Sequence, residues 1–193
     1  MFTKSFWARL FKAGPRTESI QVRADKGNAE AQFFVGLRYA SHNQTADFAH
    51  ALEWYSKAAA QNHILAQFNL GIMYANGQGV SANERQAEIW FDRAAHQQDP
   101  GAQHHLGMSR YRASFLGTPQ EMHESRIEAY KWFALAAASG YQDSRLTRDR
   151  VGAKMSREDV TEAALRKDDF LLSARAKVPG DKEAAPRKTM VAA

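Results

Sequence analysis

The sequence predicts an all-α solenoid of stacked antiparallel helix pairs, on three observations. A segment that begins Ala-Gln and holds an aliphatic-Gly pair occurs three times, from Ala31, Ala66 and Ala102. A second segment, Ala-x-x-Trp-aromatic-x-x-Ala-Ala, follows each copy, from Ala51, Ala87 and Ala129. The glycines Gly36, Gly71 and Gly107 stand 35 and 36 residues apart, a period that holds one helix pair.

Residues 1–23 come first, as an amphipathic N-terminal helix and linker. Phe2, Phe6 and Leu10 recur at i, i+4 and i+8, Trp7 and Phe11 widen that face, and Lys4, Arg9 and Lys12 lie among them. Gly14-Pro15 ends the stretch. A secretory signal would carry an uninterrupted apolar block, which Arg9 and Lys12 break. Three readings stand open: a helix covering the first repeat, a ligand docking into a groove of this or another chain, and an anchor on an anionic membrane surface.

Residues 24–141 hold three repeats, at about 24–63, 64–99 and 100–141. In the first helix of the middle repeat, Ala66, Leu70 and Tyr74 fall at i, i+4 and i+8 and form one buried stripe. Gly71 costs a helix roughly 1 kcal/mol relative to alanine, so it needs a packing reason. The expected reason is close approach of the partner helix beside Trp90 and Phe91. In that partner helix Ala87, Trp90, Phe91, Ala94 and Ala95 obey helical spacing, alternating small and large residues as interlocking pairs require. Trp54, Trp90 and Trp132 are expected to seal equivalent seams. Asn76-Gly-Gln-Gly79 breaks the middle repeat, and Gly140 stands where a C-terminal cap belongs. One such pair cannot cover its own apolar stripe, so neighbours must stack.

These residues resemble the Sel1-like repeats, a branch of the tetratricopeptide-like family. The nearest match is Leu70-Gly-x-x-Tyr74-x-x-Gly77-x-Gly79-Val80 followed by Ala87-x-x-Trp90-Phe91-x-x-Ala94-Ala95. The outer copies depart from it. The first has Ser41-His-Asn-Gln-Thr45 in place of the glycine turn, and the third has Arg110 where tyrosine is expected, with about six extra residues around Leu116-Gly-Thr-Pro119. The resemblance implies a right-handed α/α solenoid and a non-catalytic adaptor, often bacterial, that offers a concave surface to partner proteins. The cysteine-stapled secreted relatives are excluded, because the chain has no cysteine.

Residues 142–176 read as two capping helices. The first turns Leu146 and Val151 inward, with Met155 near its end. The second starts at Ser156 as N-cap and runs through Val160, Ala163, Ala164, Leu165, Phe170 and Leu171. The Lys, Pro, Gly, Glu and Ala of residues 177–193 predict a disordered tail.

Charge limits the partners. Residues 24–140 carry 9 Lys/Arg against 11 Asp/Glu, so the excess behind the net +5 sits at the two ends. A surface that tracks a phosphate backbone would concentrate it in the middle, so no nucleic-acid partner is expected. No apolar run reaches the roughly 18 residues of a spanning helix. The chain reads as cytoplasmic, at most peripheral at the inner membrane. His104 and His105 are adjacent and diverge on a helix, no second histidine completes His123-Glu124 as a zinc motif, and Gly77-Gln-Gly79 is too short for a phosphate loop. No metal, cofactor or catalytic group is expected.

The resemblance places a groove at fixed offsets from each glycine. Repeat one offers Glu30, Phe33, Leu37, Ala40 and Ser41. Repeat two offers Leu65, Phe68, Ile72, Ala75 and Asn76, and repeat three offers Gly101, His104, Met108, Tyr111 and Arg112. Phe33, Leu37, Phe68, Ile72, His104, Met108 and Tyr111 are the expected partner contacts. Their apolar character suits an amphipathic helix or apolar peptide, which could be this chain's own Phe2, Phe6 and Leu10. The alternative function is a peripheral membrane organiser anchored by residues 1–12.

Overall fold

The computed structural model describes residues 18–41 and 45–176. Phe2, Phe6, Trp7, Leu10 and Phe11 lie outside them, as does the tail 177–193. Among the described residues there are nine helices and no strand. A short α1 (Ile20–Asp25) precedes three pairs: α2 (Ala29–Ser41) with α3 (Thr45–Ala60), α4 (Ile64–Asn76) with α5 (Glu84–His96), and α6 (Pro100–Ala113) with α7 (Pro119–Ala138). Then come α8 (Gln142–Gly152) and α9 (Arg157–Ala176). The all-α solenoid is the one expected. Helix α1 crosses the boundary drawn between residues 23 and 24, buries Ala24, and packs on α2.

The glycines are contact points. A Cβ built on Gly36 would lie 2.7 Å from the Tyr55 ring, one on Gly71 2.5 Å from Phe91, and one on Gly107 2.7 Å from Phe133. In each pair the ring after the tryptophan presses against the glycine, and the three rings are buried. For Gly71 the large neighbour is therefore Phe91 and not Trp90. The tryptophans reach back along the stack instead. Trp54 packs on Ala24, Ala31 and Val35, Trp90 on the cluster of Tyr55, Leu70 and Met73, and Trp132 within that of Ala87, Phe91 and Ala95. Trp54 and Trp90 are half-buried, and a cation closes each indole: Lys57 at 4.3 Å, Arg93 at 4.6 Å, and Lys131 at 4.5 Å over Trp132. Such stacking shields the ring while the charge stays in water.

A second row joins the repeats. The glutamine of each Ala-Gln dipeptide is buried. It donates through Nε2 to a carbonyl eight residues earlier, at the end of the preceding unit: Gln32 to Ala24, Gln67 to Ala59, Gln103 to Ala95. Gln61 and Gln97 then donate to the Oε1 of Gln32 and Gln67, at 2.8 and 2.7 Å. The corresponding position after α7 is Ser139, whose hydroxyl turns to Leu135, and Gln103 Oε1 is buried without a hydrogen bond.

Helix ends follow local chemistry. His63, Asn83, Asp99 and Thr118 cap α4, α5, α6 and α7 through side-chain acceptors. Thr118 and Glu121 form a reciprocal capping box ahead of Pro119, which gives the inserted residues of repeat three a defined turn. Gly77 and Gly79 hold φ of 68° and 71°, a conformation glycine adopts without strain. A Cβ on Gly79 would also meet the Phe48 backbone at 2.5 Å, so this turn seats on the start of α3.

The two last helices depart from expectation. Both α8 and α9 pack on α7, and they scarcely touch each other. Val151 and Ala163 are buried, and Met155 joins the Phe133 cluster. Phe170 meets the Trp132 edge at 5.3 Å. Leu146, however, is 63% exposed and Leu165 57%. Leu146 was expected inward, but α9 crosses α7 and does not pair with α8, so neither leucine finds a partner.

Candidate functional site

The residues predicted to line a groove fall into two groups. Phe33, Phe68 and His104 occupy the same offset, three residues before each glycine, and each is spent on the next unit. Phe33 is only 5% exposed. Its ring stacks on His63 with centroids 4.6 Å apart, and His63 accepts the Ala66 N–H at Nδ1 while donating from Nε2 to Glu30. Phe68 lies beside Phe91 and His105, under the start of α6, where a Cβ on Gly101 would come within 2.9 Å of its ring. His104 Nδ1 meets Ser144 Oγ at 2.7 Å, and its ring packs near Phe133 and Tyr141. Phe33 is therefore not an open groove residue, and Phe68 and His104 show only part of their surface. The solenoid's curvature brings the next helix start onto that offset.

Leu37, Ile72, Met108 and Tyr111 remain partly exposed at the edges of the core clusters. Leu65, on the face of α4 that carries Phe68 and Ile72, is 48% exposed. Beside Tyr111 the inserted turn adds an apolar pair: the Phe115 ring stands edge-on to Tyr111 at 5.0 Å, and Phe115 and Leu116 are 57% and 70% exposed. Sequence reasoning passed over Phe115. The signal available was the insertion itself, which interrupts a repeat with two large apolar residues.

Between α4, α5 and α6 lies a cleft of about 580 Å³. It takes in Ala75, Asn76 and Arg112 from the predicted row, together with Glu84, Glu88 and His105. Arg110 pairs with Glu88 at 2.7 Å and Arg112 with Glu84 at 3.0 Å, which accounts for the arginine where the repeat has tyrosine. His105 stacks on Phe91 at 4.4 Å. Burial holds both His104 and His105 below the ordinary histidine value, and the charges of His104 and Arg112 add to the effect at His105. Burial raises the Asp99 carboxyl against the backbone N–H groups of Ala102 and Gly101. Among the described residues no group of three or more histidine or acidic side chains is placed to hold a metal ion, and no helix is long and apolar enough to cross a membrane.

The fold is that of a helical-repeat solenoid. The chain belongs to the Sel1 repeat family, whose pattern matches residues 29–63, 64–99 and 100–141. Sel1 repeat proteins act as protein-interaction scaffolds. Two relatives are the ERAD-associated E3 ubiquitin-protein ligase components HRD3B and HRD3A of Arabidopsis thaliana. The chain is 35% identical to the first over 49% of its own length and 16% of the relative's. To the second it is 33% identical, over 41% of its length and 12% of the relative's. It thus spans less than a fifth of either. Two solved structures are similar. One is c5321, a protective antigen of uropathogenic Escherichia coli strains, with a TM-score of 0.72 and 26% identity over 95% of this chain and 41% of that one. The other is a Sel1 repeat protein of Oxalobacter formigenes, with a TM-score of 0.55 and 32% identity over 68% of this chain and 95% of that one.

Proposed function

We propose that the chain holds an apolar peptide or amphipathic helix along the partly open row of α4 and α6, from Leu65 and Ile72 to Met108, Tyr111 and the inserted turn. The observation that carries this reading is the exposed pair Phe115 and Leu116 beside Tyr111. Large apolar side chains left in water forgo roughly 1.5–3 kcal/mol each of burial, and clustered aromatic residues of this kind anchor interfaces. The groove begins beyond Phe33, whose ring is already covered by His63.

A photo-crosslinking residue at position 115 should capture a partner protein that one at position 22, on α1, does not. Phe115→Ser with Leu116→Ser should leave the helical circular dichroism unchanged and weaken binding of that purified partner at least tenfold. Unchanged affinity in the double variant overturns the reading.

A further inference from the structure

We infer that the cleft where α8 and α9 diverge over α7 is a second docking site, one that takes an acidic side chain of a partner peptide. It uses none of the groove residues. Helices α8 and α9 both rest on α7 and splay apart, leaving a hollow of about 270 Å³. Its floor is mostly alanine: Ala134, Ala137 and Ala138 from α7, with Ala164 from α9, and Tyr130 of α7 lines it as well. Arg145 and Arg148 from α8 and Lys167 from α9 stand around it, and no carboxylate lines it.

The cations are only weakly committed elsewhere. Arg148 and Lys167 each pair with the next residue in sequence, Asp149 and Asp168, and both acids are well exposed and outside the hollow. Ion pairs of that kind contribute little in water. The Arg145 side chain has no ion pair or hydrogen bond among the described residues. Three positive charges over an apolar floor concentrate a positive potential in a concave, partly desolvated space. An arriving carboxylate can take charge-assisted hydrogen bonds from two guanidinium groups and an ammonium.

The size and lining select the class of ligand. At roughly 30 Å³ per water the hollow holds on the order of nine waters, enough for one acidic side chain and its residual hydration. The alanine floor accommodates the methylene stem of a glutamate. It offers a single half-buried ring, Tyr130, where a strand of bases would need several in succession, and only three cations line it, short of the track that a nucleic-acid backbone requires. The observations therefore favour an acidic peptide.

Fluorescence anisotropy with a labelled hexaglutamate peptide and the full chain tests this at low salt. Binding is expected, with labelled hexalysine giving none. Arg145→Ala with Lys167→Ala should weaken hexaglutamate at least tenfold, whereas Lys26→Ala with Lys57→Ala, which removes the same charge elsewhere, should not. Three outcomes overturn the proposal: no hexaglutamate binding, equal loss in the two double variants, or displacement by inorganic phosphate or a single-stranded oligonucleotide as readily as by unlabelled hexaglutamate. Because the Phe115 and Leu116 variants leave this hollow intact, they should bind hexaglutamate normally, which keeps the two sites' tests separate.

Discussion

The face of Gly71 lies against the Phe91 ring so closely that a methyl group there would stand 2.5 Å from it. The same relation links Gly36 with Tyr55 and Gly107 with Phe133, so one small-against-large contact is built three times into the stack. Gly71→Ala would gain about 1 kcal/mol of helix propensity and lose roughly 1–3 kcal/mol to overpacking against a buried ring. A net destabilisation on the order of 1 kcal/mol is expected in urea unfolding. Phe91→Leu makes room, so the double variant should be more stable than the sum of the two single losses. Strict additivity would show that the ring yields without strain.

The glutamine ladder predicts a gain. Gln61 and Gln97 satisfy the buried Oε1 atoms of Gln32 and Gln67, whereas Ser139 leaves that of Gln103 without a partner. Gln97→Ala should cost roughly 1–3 kcal/mol by orphaning a buried acceptor. Ser139→Gln, restoring the third rung, should stabilise by about 1 kcal/mol. Both are read from chemical denaturation midpoints. If Ser139→Gln is neutral while Gln97→Ala is costly, the third acceptor is being met in some other way.

Much of this was legible in the sequence, and the failures have physical reasons. The tryptophan and glycine motifs fixed pair, period and stripe because one packing problem recurs three times. The Ala-Gln dipeptides were visible, but their partners Gln61 and Gln97 lie outside both motifs and touch them only across the stack. Phe33, Phe68 and His104 sit on the predicted helix face. What covers them is the start of the following helix, which depends on how far each pair rotates on the last. Leu146 is expected inward because the two last helices are taken together as a cap over the last repeat's apolar stripe. That geometry is decided by tertiary contacts, above all those of Phe170 and Arg166 with α7 and its neighbours. Phe115 has no counterpart in the other repeats, so periodicity was silent about it.

Acidification should loosen the boundary between repeats two and three and the cap beyond it. His104 and His105 have folded-state values held below the ordinary 6.5, chiefly by burial. As pH falls through 6.5 the unfolded chain binds these protons first, so the unfolded state gains. The stability contributed by the neutral imidazoles is complete above about 6.5 and drains as pH drops below it toward the lowered folded values. Urea midpoints should therefore be lower at pH 5.5 than at pH 7.5. His105→Asn, which installs the residue that Asn69 supplies at the same offset in repeat two, should shrink that difference. An unchanged difference would place the effect on other groups.

Arg166 fastens α9 to the stack. Its guanidinium meets Glu124 through both outer nitrogens, Glu128 at 3.1 Å and Glu162 at 2.8 Å. Two of these acids belong to α7 and one to α9 itself, so a single cation bridges the helices. The hydrogen bond from Arg166 leads the effects that hold the Glu124 carboxyl below its ordinary value. Replacing Arg166 with methionine keeps most of the stem but leaves three carboxylates facing one another. The side chains are partly exposed, so the loss should be modest, roughly 1–2 kcal/mol. It should also be local. Hydrogen exchange ought to speed up across residues 157–176 while residues 29–113 keep their protection, because opening α9 exposes Trp132 and Phe170 without breaking any glycine–aromatic contact. Changing Glu124 and Glu128 to glutamine in the same chain removes the repulsion and should restore part of the protection. If exchange rises equally in all three repeats, α9 is part of one cooperative unit and not a separable cap.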